Sequence, residues 1–123
     1  MPWSAIAAFL LALAVALGAF GAHALKARFD AYSMGIWEKA VFYHFIHAMG
    51  LLIVPLLAKT GLLSESASSR VSMLLVAGIL LFSGSLYTLA LTGVRTLGAV
   101  TPLGGVAFLA AWICLGLSLL RSR

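Results

Sequence analysis

Charge is what this sequence has least of. Only 9% of its 123 residues are Asp, Glu, Lys or Arg, against about 25% in an ordinary soluble domain. There is one cysteine, Cys114, so an internal disulfide is excluded. In the middle of an apolar run, that thiol reads as a small buried hydrophobe. The net charge of +5 does not point to nucleic acid. The basic residues stand singly at the ends of apolar runs, where side chains meet lipid headgroups.

What is present is hydrophobic length. The chain is 63% hydrophobic, and residues 1–22, 40–58, 71–94 and 96–120 carry no charge. A membrane-spanning helix needs roughly 17–25 apolar residues, so each run can cross once. The expected fold is all-α: a transmembrane four-helix bundle forming a single domain over 1–123, with helices at about 3–24, 37–57, 71–92 and 102–120. The longest connection, residues 59–70, leaves no room between helices for a soluble domain. Ala22-His23-Ala24 resembles a signal-peptidase site. However, no Lys or Arg precedes the first run, and the run is longer than a signal h-region of about 7–15 residues. The first helix is therefore expected to be retained.

Helical phase assigns faces. In the first helix Ile6, Phe9, Leu10, Leu13, Leu17 and Phe20 fall on one side; Ala5, Ala7, Ala8, Ala12, Ala14, Gly18, Gly21 and Ala22 fall on the other. Small residues let helices approach closely in lipid, so the small side is expected to face the bundle. Residues 26–36 mix charge with Phe29 and Tyr32 and read as an interfacial segment ending near Gly35. Trp37 is expected at headgroup depth, as in aromatic belts. In the second helix Ala40, Tyr43, His44, His47, Gly50, Leu51 and Val54 share an inward stripe, and Glu38 projects away. The Ser-rich tract from Ser64 to Ser69 reads as a loop, with Ser68 or Ser69 capping the third helix. There, Ala77, Gly84, Ser85, Thr88 and Thr92 form a small face opposite Ile79, Phe82, Leu86 and Leu89. Gly93 is placed to end this helix in the left-handed conformation. Thr101-Pro102 reads as N-cap and first residue of the fourth helix.

Four crossings put both termini on one side. The end of helix 1, the start of helix 2, the end of helix 3 and the start of helix 4 then share the other half of the membrane. His23, Lys39, Tyr43, His44, His47, Tyr87, Thr92, Arg95 and Thr101 all converge there, and they form the candidate ligand site or polar seam. Orientation is balanced: Lys26, Arg28, Lys39 and Arg95 lie on one side, Lys59, Arg70, Arg121 and Arg123 on the other. If the first helix dominates, the uncharged N-terminus lies outside; if Lys39 and Arg95 are bound into the bundle and not counted, the basic C-terminal tail favours both termini inside.

His44 and His47 are three apart and therefore neighbours on one helix face. Imidazole is a common metal ligand, yet no Glu or Cys completes a recognised spacing. The Glu-x-x-His pair that di-iron bundles repeat on two helices is absent. No metal ligand and no catalytic residue is assigned, and no cofactor is expected. A haem would have to be held between His23 and His44, on different helices. The plainer reading is that these histidines bond Tyr43, Ser, Thr or backbone groups of neighbouring helices, at about 0.6–2 kcal/mol each. Arg95, beside the start of helix 4, is placed either to make an anion site with its free N–H groups or to reach headgroup phosphates.

Four motifs carry a resemblance. They are Gly18-Ala19-Phe20-Gly21-Ala22-His23; Tyr43-His44-Phe45-Ile46-His47; Gly78 through Tyr87, continuing to Thr92-Gly93 and Arg95; and Thr101-Pro102-Leu103-Gly104-Gly105. Together they resemble a domain-of-unknown-function family of small membrane proteins, the one containing bacterial YgdD and YwdK and animal transmembrane protein 256. The resemblance covers nearly the whole chain. It implies a multi-pass protein of the bacterial inner (plasma) membrane and names no activity or ligand. The expected function is that of a non-enzymatic accessory or assembly partner. Its surroundings would be the lipid bilayer, further copies of itself or a larger membrane complex, and not nucleic acid. The alternative is a small-ligand, haem or quinone-binding protein using His23, Tyr43, His44, His47 and Arg95. A transporter is disfavoured because the chain shows no internal repeat to support alternating access.

Overall fold

The computed structural model describes residues 1–122; Arg123, counted above in the C-terminal tail, lies outside them. Four long helices account for most of the described residues: α1 (Trp3–Leu25), α2 (Ala31–Lys59), α3 (Glu65–Thr92) and α4 (Thr101–Arg121). A 3-10 turn over Arg95–Ala99 leads into α4. Each of the four is long and apolar enough to cross a bilayer.

The starts of α2 and α3 differ from those expected, and local capping explains both. Residues 31–36 belong to α2, so only 26–30 separate it from α1. Asp30 starts α2, its carboxylate accepting the Ser33 N–H at 2.7 Å. That bond, with a second from the Ser33 hydroxyl, holds the Asp30 carboxyl below its usual range. A depressed pKa means the cap is intact at neutral pH and is lost as pH falls through the folded value. The protection factor of the Ser33 amide, its exchange corrected for the pH-dependent intrinsic rate, is therefore expected to fall several-fold on acidification past the carboxylate range. Asp30→Ala should show the same loss of protection already at pH 7.

The Ser-rich tract is helix and not loop. Ser64 caps α3 by accepting the Ala67 N–H at 3.1 Å, and Glu65 supplies the negative charge favoured in a first turn. Neither Ser68 nor Ser69 is the cap, and Ser68 is buried. At the other end, Gly93 adopts φ 70° and closes α3 through its N–H to the Leu89 carbonyl. Thr101 does not cap α4: it is the first helical residue, and its hydroxyl turns sideways to Ser85 Oγ at 2.6 Å.

Two π-turns reset the faces. One ends α1 (Gly21–Leu25) and one interrupts α3 (Ile79–Ser83). Each extra residue displaces the following side chains by about 100° relative to an unbroken α-helix. Of the small face expected in α3, Ser85 is buried and Ala77 and Gly84 are half-buried, but its last two members do not pack inward. Thr88 and Thr92 are exposed and bond carbonyls of their own helix, whereas Ile79, Leu86 and Leu89 are buried. In α1 the buried positions are Ala7, Ala14, Gly21 and Leu25. They recur nearly every seven residues, a coiled-coil seam with half-buried Leu10 and Leu17 between them. Ala5, Ala8, Ala12 and Ala22 are exposed, because α1 holds more small residues than one seam can use.

Helices α2 and α3 form the middle of the molecule. Helix α1 packs on α2, and α4 packs on α3. Of the apolar stretch in α1, 17% of residues are buried, against 44% in α3, which makes α1 a flank. Met1, Lys59 and Glu65 line one cleft, so the N-terminus and the α2–α3 connection share an end. The end of α4 is there too, where Arg121 and Ser122 line a cleft with Ser64 and Arg70. At the opposite end Leu25, Trp37 and Ala90 form one apolar cluster.

Candidate functional site

Trp37 is the centre of that end. Its side chain is 2% exposed, so it packs against neighbouring helices. Its indole Nε1–H donates to the Leu17 carbonyl of α1 at 2.9 Å. One face of the ring meets Tyr87 of α3 at 4.8 Å between centroids, and Phe29 approaches edge-on at 6.0 Å. Gly21 lies beside the indole, with no room for a Cβ. One side chain thus ties three helices together.

A hydrogen-bonded brace continues inward. His44 is fully enclosed, with Nδ1 2.9 Å from the Tyr87 hydroxyl. Its Nε2 has no hydrogen-bond partner; the Leu10 carbonyl of α1 lies towards it, outside bonding geometry. An acceptor on that side favours Nε2–H, with the Tyr87 O–H donating to Nδ1. Ser83, in the π-turn of α3, donates to the Ala40 carbonyl of α2 at 2.8 Å. Ser85 and Thr101 pair α3 with α4. Bonds of this kind join neighbouring membrane helices and leave no polar surface for a ligand.

His47 is placed differently. Its Nδ1 sits 2.7 Å from the backbone carbonyl of Tyr43. A carbonyl only accepts, so Nδ1 carries the proton and Nε2 of the neutral ring is a lone-pair acceptor. Nε2 has no hydrogen-bond partner and is not sealed from the surface. The imidazole lies flat on Phe108 of α4, centroids 3.4 Å apart and planes within 10°. It lines an open groove of about 450 Å³, together with Tyr43, Phe82, Gly105, Phe108 and Trp112. Phe108 reaches this place because Gly78 of α3 has no Cβ, which would overlap its ring. Phe82 is held by Gly104, which packs directly on its backbone.

The nine expected residues therefore do not form one site. His44, Tyr87 and Thr101 belong to the brace, and Tyr43 and His47 to the groove. His23, Lys39, Thr92 and Arg95 are exposed. His23 is exposed, whereas His44 is enclosed with Nδ1 on the Tyr87 hydroxyl. Arg95 sits over the Tyr32 ring at 5.2 Å, a cation–π contact with the first turn of α2. It is not aimed at the start of α4. Among the described residues, no three His, Cys, Asp or Glu side chains converge on a common point. The groove residues Phe82, Gly105, Phe108 and Trp112 were missed by the sequence reading. Phe108 and Trp112 are four apart on α4, a spacing that does place them on one face.

Four apolar helices, an interior held by inter-helical hydrogen bonds and a groove open to the side define a polytopic integral membrane protein. The chain belongs to the family described as "Protein of unknown function (DUF423)", which matches residues 17–105. It is 47% identical over 112 residues to UPF0382 membrane protein SERP0230 of Staphylococcus epidermidis, covering 89% of this chain and 87% of that one. It is 48% identical over 101 residues to UPF0382 membrane protein YwdK of Bacillus subtilis, covering 82% and 81%. UPF0382 membrane protein SH2409 of Staphylococcus haemolyticus is 45% identical over 109 residues, covering 86% and 84%. No solved structure matches the chain.

Proposed function

We propose that this protein is a non-catalytic accessory subunit of the bacterial inner membrane that works by associating laterally with a larger membrane complex. The open packing of its flanks carries this reading. By backbone approach α1 lies mainly on α2 and α4 mainly on α3, and these two flanking helices do not pack closely on each other. Their outer faces present Phe9, Leu13, Val15, Leu109, Ile113 and Leu117. The polar groups of the interior mostly bond neighbouring helices, which suits a scaffold more than a reaction centre. The bacterial membrane proteins to which the chain is similar support the location.

Blue-native electrophoresis of membranes solubilised in mild detergent tests the reading. Chromosomally expressed, tagged protein is expected in a discrete band far above its 12.9 kDa chain mass. A photo-crosslinker at Leu13 or Ile113 should capture one defined product. Migration as a detergent-bound monomer, with crosslinks only to lipid, would contradict it.

A further inference from the structure

We propose that the groove between α2, α3 and α4 binds the ring of a lipid-soluble hydroquinone, one ring hydroxyl donating its hydrogen bond to His47 Nε2. This goes beyond the accessory reading, which needs no ligand. Three features select that chemistry. First, the volume of about 450 Å³ falls within the roughly 300–1,000 Å³ of small-molecule sites. Exposed Leu103, Val106 and Leu109 on α4 leave its side open in the plane of the bilayer, which suits a ligand dissolved in lipid.

Second, the walls are flat. Tyr43 lies 4.4 Å from Phe82 and 6.4 Å from Phe108, between ring centroids, and Trp112 lies 5.7 Å from His47. Aromatic faces and edges reward a planar ring over a flexible chain. Third, the polar group is fixed in both position and kind. The Tyr43 carbonyl pins the Nδ1 proton and Phe108 covers one face of the imidazole, so Nε2 of the neutral ring accepts. A quinone offers acceptors alone and cannot bond that lone pair; nor can an ionised phosphate. A hydroquinone offers two O–H donors. The Tyr43 hydroxyl, without a partner of its own and on the same groove, is placed to meet the ring's edge.

The test uses the intact protein labelled with 15N-histidine in lipid nanodiscs. It is titrated with decyl-benzohydroquinone kept reduced, with decyl-benzoquinone, and with decanol. The expected result is a saturable shift of the His47 Nε2 resonance with the hydroquinone. The quinone and the alcohol should bind at least about tenfold more weakly, as loss of a hydrogen bond or of ring packing implies. Gly105→Leu serves as the blocking variant, because a Cβ there has no neighbour nearer than Phe82 Cδ2 at 4.0 Å. It should fill the groove, abolish the shift and leave the melting temperature unchanged. Absence of a saturable shift in the wild-type chain overturns the proposal. So does an equal response to decanol or quinone, or undiminished binding by a folded Gly105→Leu protein.

Discussion

Trp37→Ala is expected to lower the stability of the bundle by about 3–5 kcal/mol, the range for truncating a fully buried large aromatic. The indole is 2% exposed and stands between α1, α2 and α3. Removing it leaves a void against Phe29, Tyr87 and the surface of Gly21. In a membrane, helices associate through van der Waals packing and hydrogen bonds, with no hydrophobic drive between them. The loss of contacts therefore acts directly on helix association. Trp37→Phe divides the effect. It keeps most of the ring and loses the Nε1–H bond to the Leu17 carbonyl, which should cost about 1 kcal/mol. Leu17 is spared a full penalty because its carbonyl also accepts from the Gly21 N–H. Thermal unfolding in one detergent, followed by far-UV circular dichroism, gives both values. A Trp37→Ala protein as stable as the parent would return this residue to the interfacial role its sequence position suggests.

That contrast shows where sequence stopped being informative. A tryptophan at the edge of an apolar run looks the same whether it anchors to headgroups or plugs a three-helix junction. Here α2 begins at Ala31, capped by Asp30, so Trp37 lies well inside the helix. The convergence of helix ends needed only the number of crossings, and the residues gathered there were legible from it. Their division into brace and groove was not. His44 and His47 are three apart and read alike, yet one ring is bonded to Tyr87 and the other leaves a nitrogen on an open groove. A rotation of one position around the helix, together with what α3 and α4 bring opposite, decides it. The π-turn at Ile79–Ser83 has no strong local signature, and it re-phases Ser83, Leu86 and Tyr87 against α2. Thr88 and Thr92, read as facing inward, are exposed, and Leu89, read as facing outward, is buried. Arg95 could not be placed from sequence because its partner, Tyr32, lies on a turn of α2 that was read as a connection.

The adjacent pair Gly104-Gly105 should give opposite results on substitution, and the difference measures how closely α3 and α4 must approach. A Cβ on Gly104 would meet the backbone nitrogen, Cα and Cβ of Phe82. A side-chain clash can relax by rotamer change; a clash with the backbone of a facing helix can relax only by separating the helices. Gly104→Ala is therefore expected to destabilise by about 1–3 kcal/mol, as overpacking does, and Gly104→Leu by more. The Ser85–Thr101 hydrogen bond lies beside this contact and should be lost with it. Separation would also move Phe82, a wall of the groove, so ligand binding should fall together with stability. Gly105→Ala has open space at its Cβ and replaces the weaker helix former, so it should be neutral or stabilising by up to about 1 kcal/mol. Thermal unfolding of the two alanine variants in the same detergent decides the matter. Equal melting temperatures would mean that α3 and α4 are not held at the distance Gly104 permits.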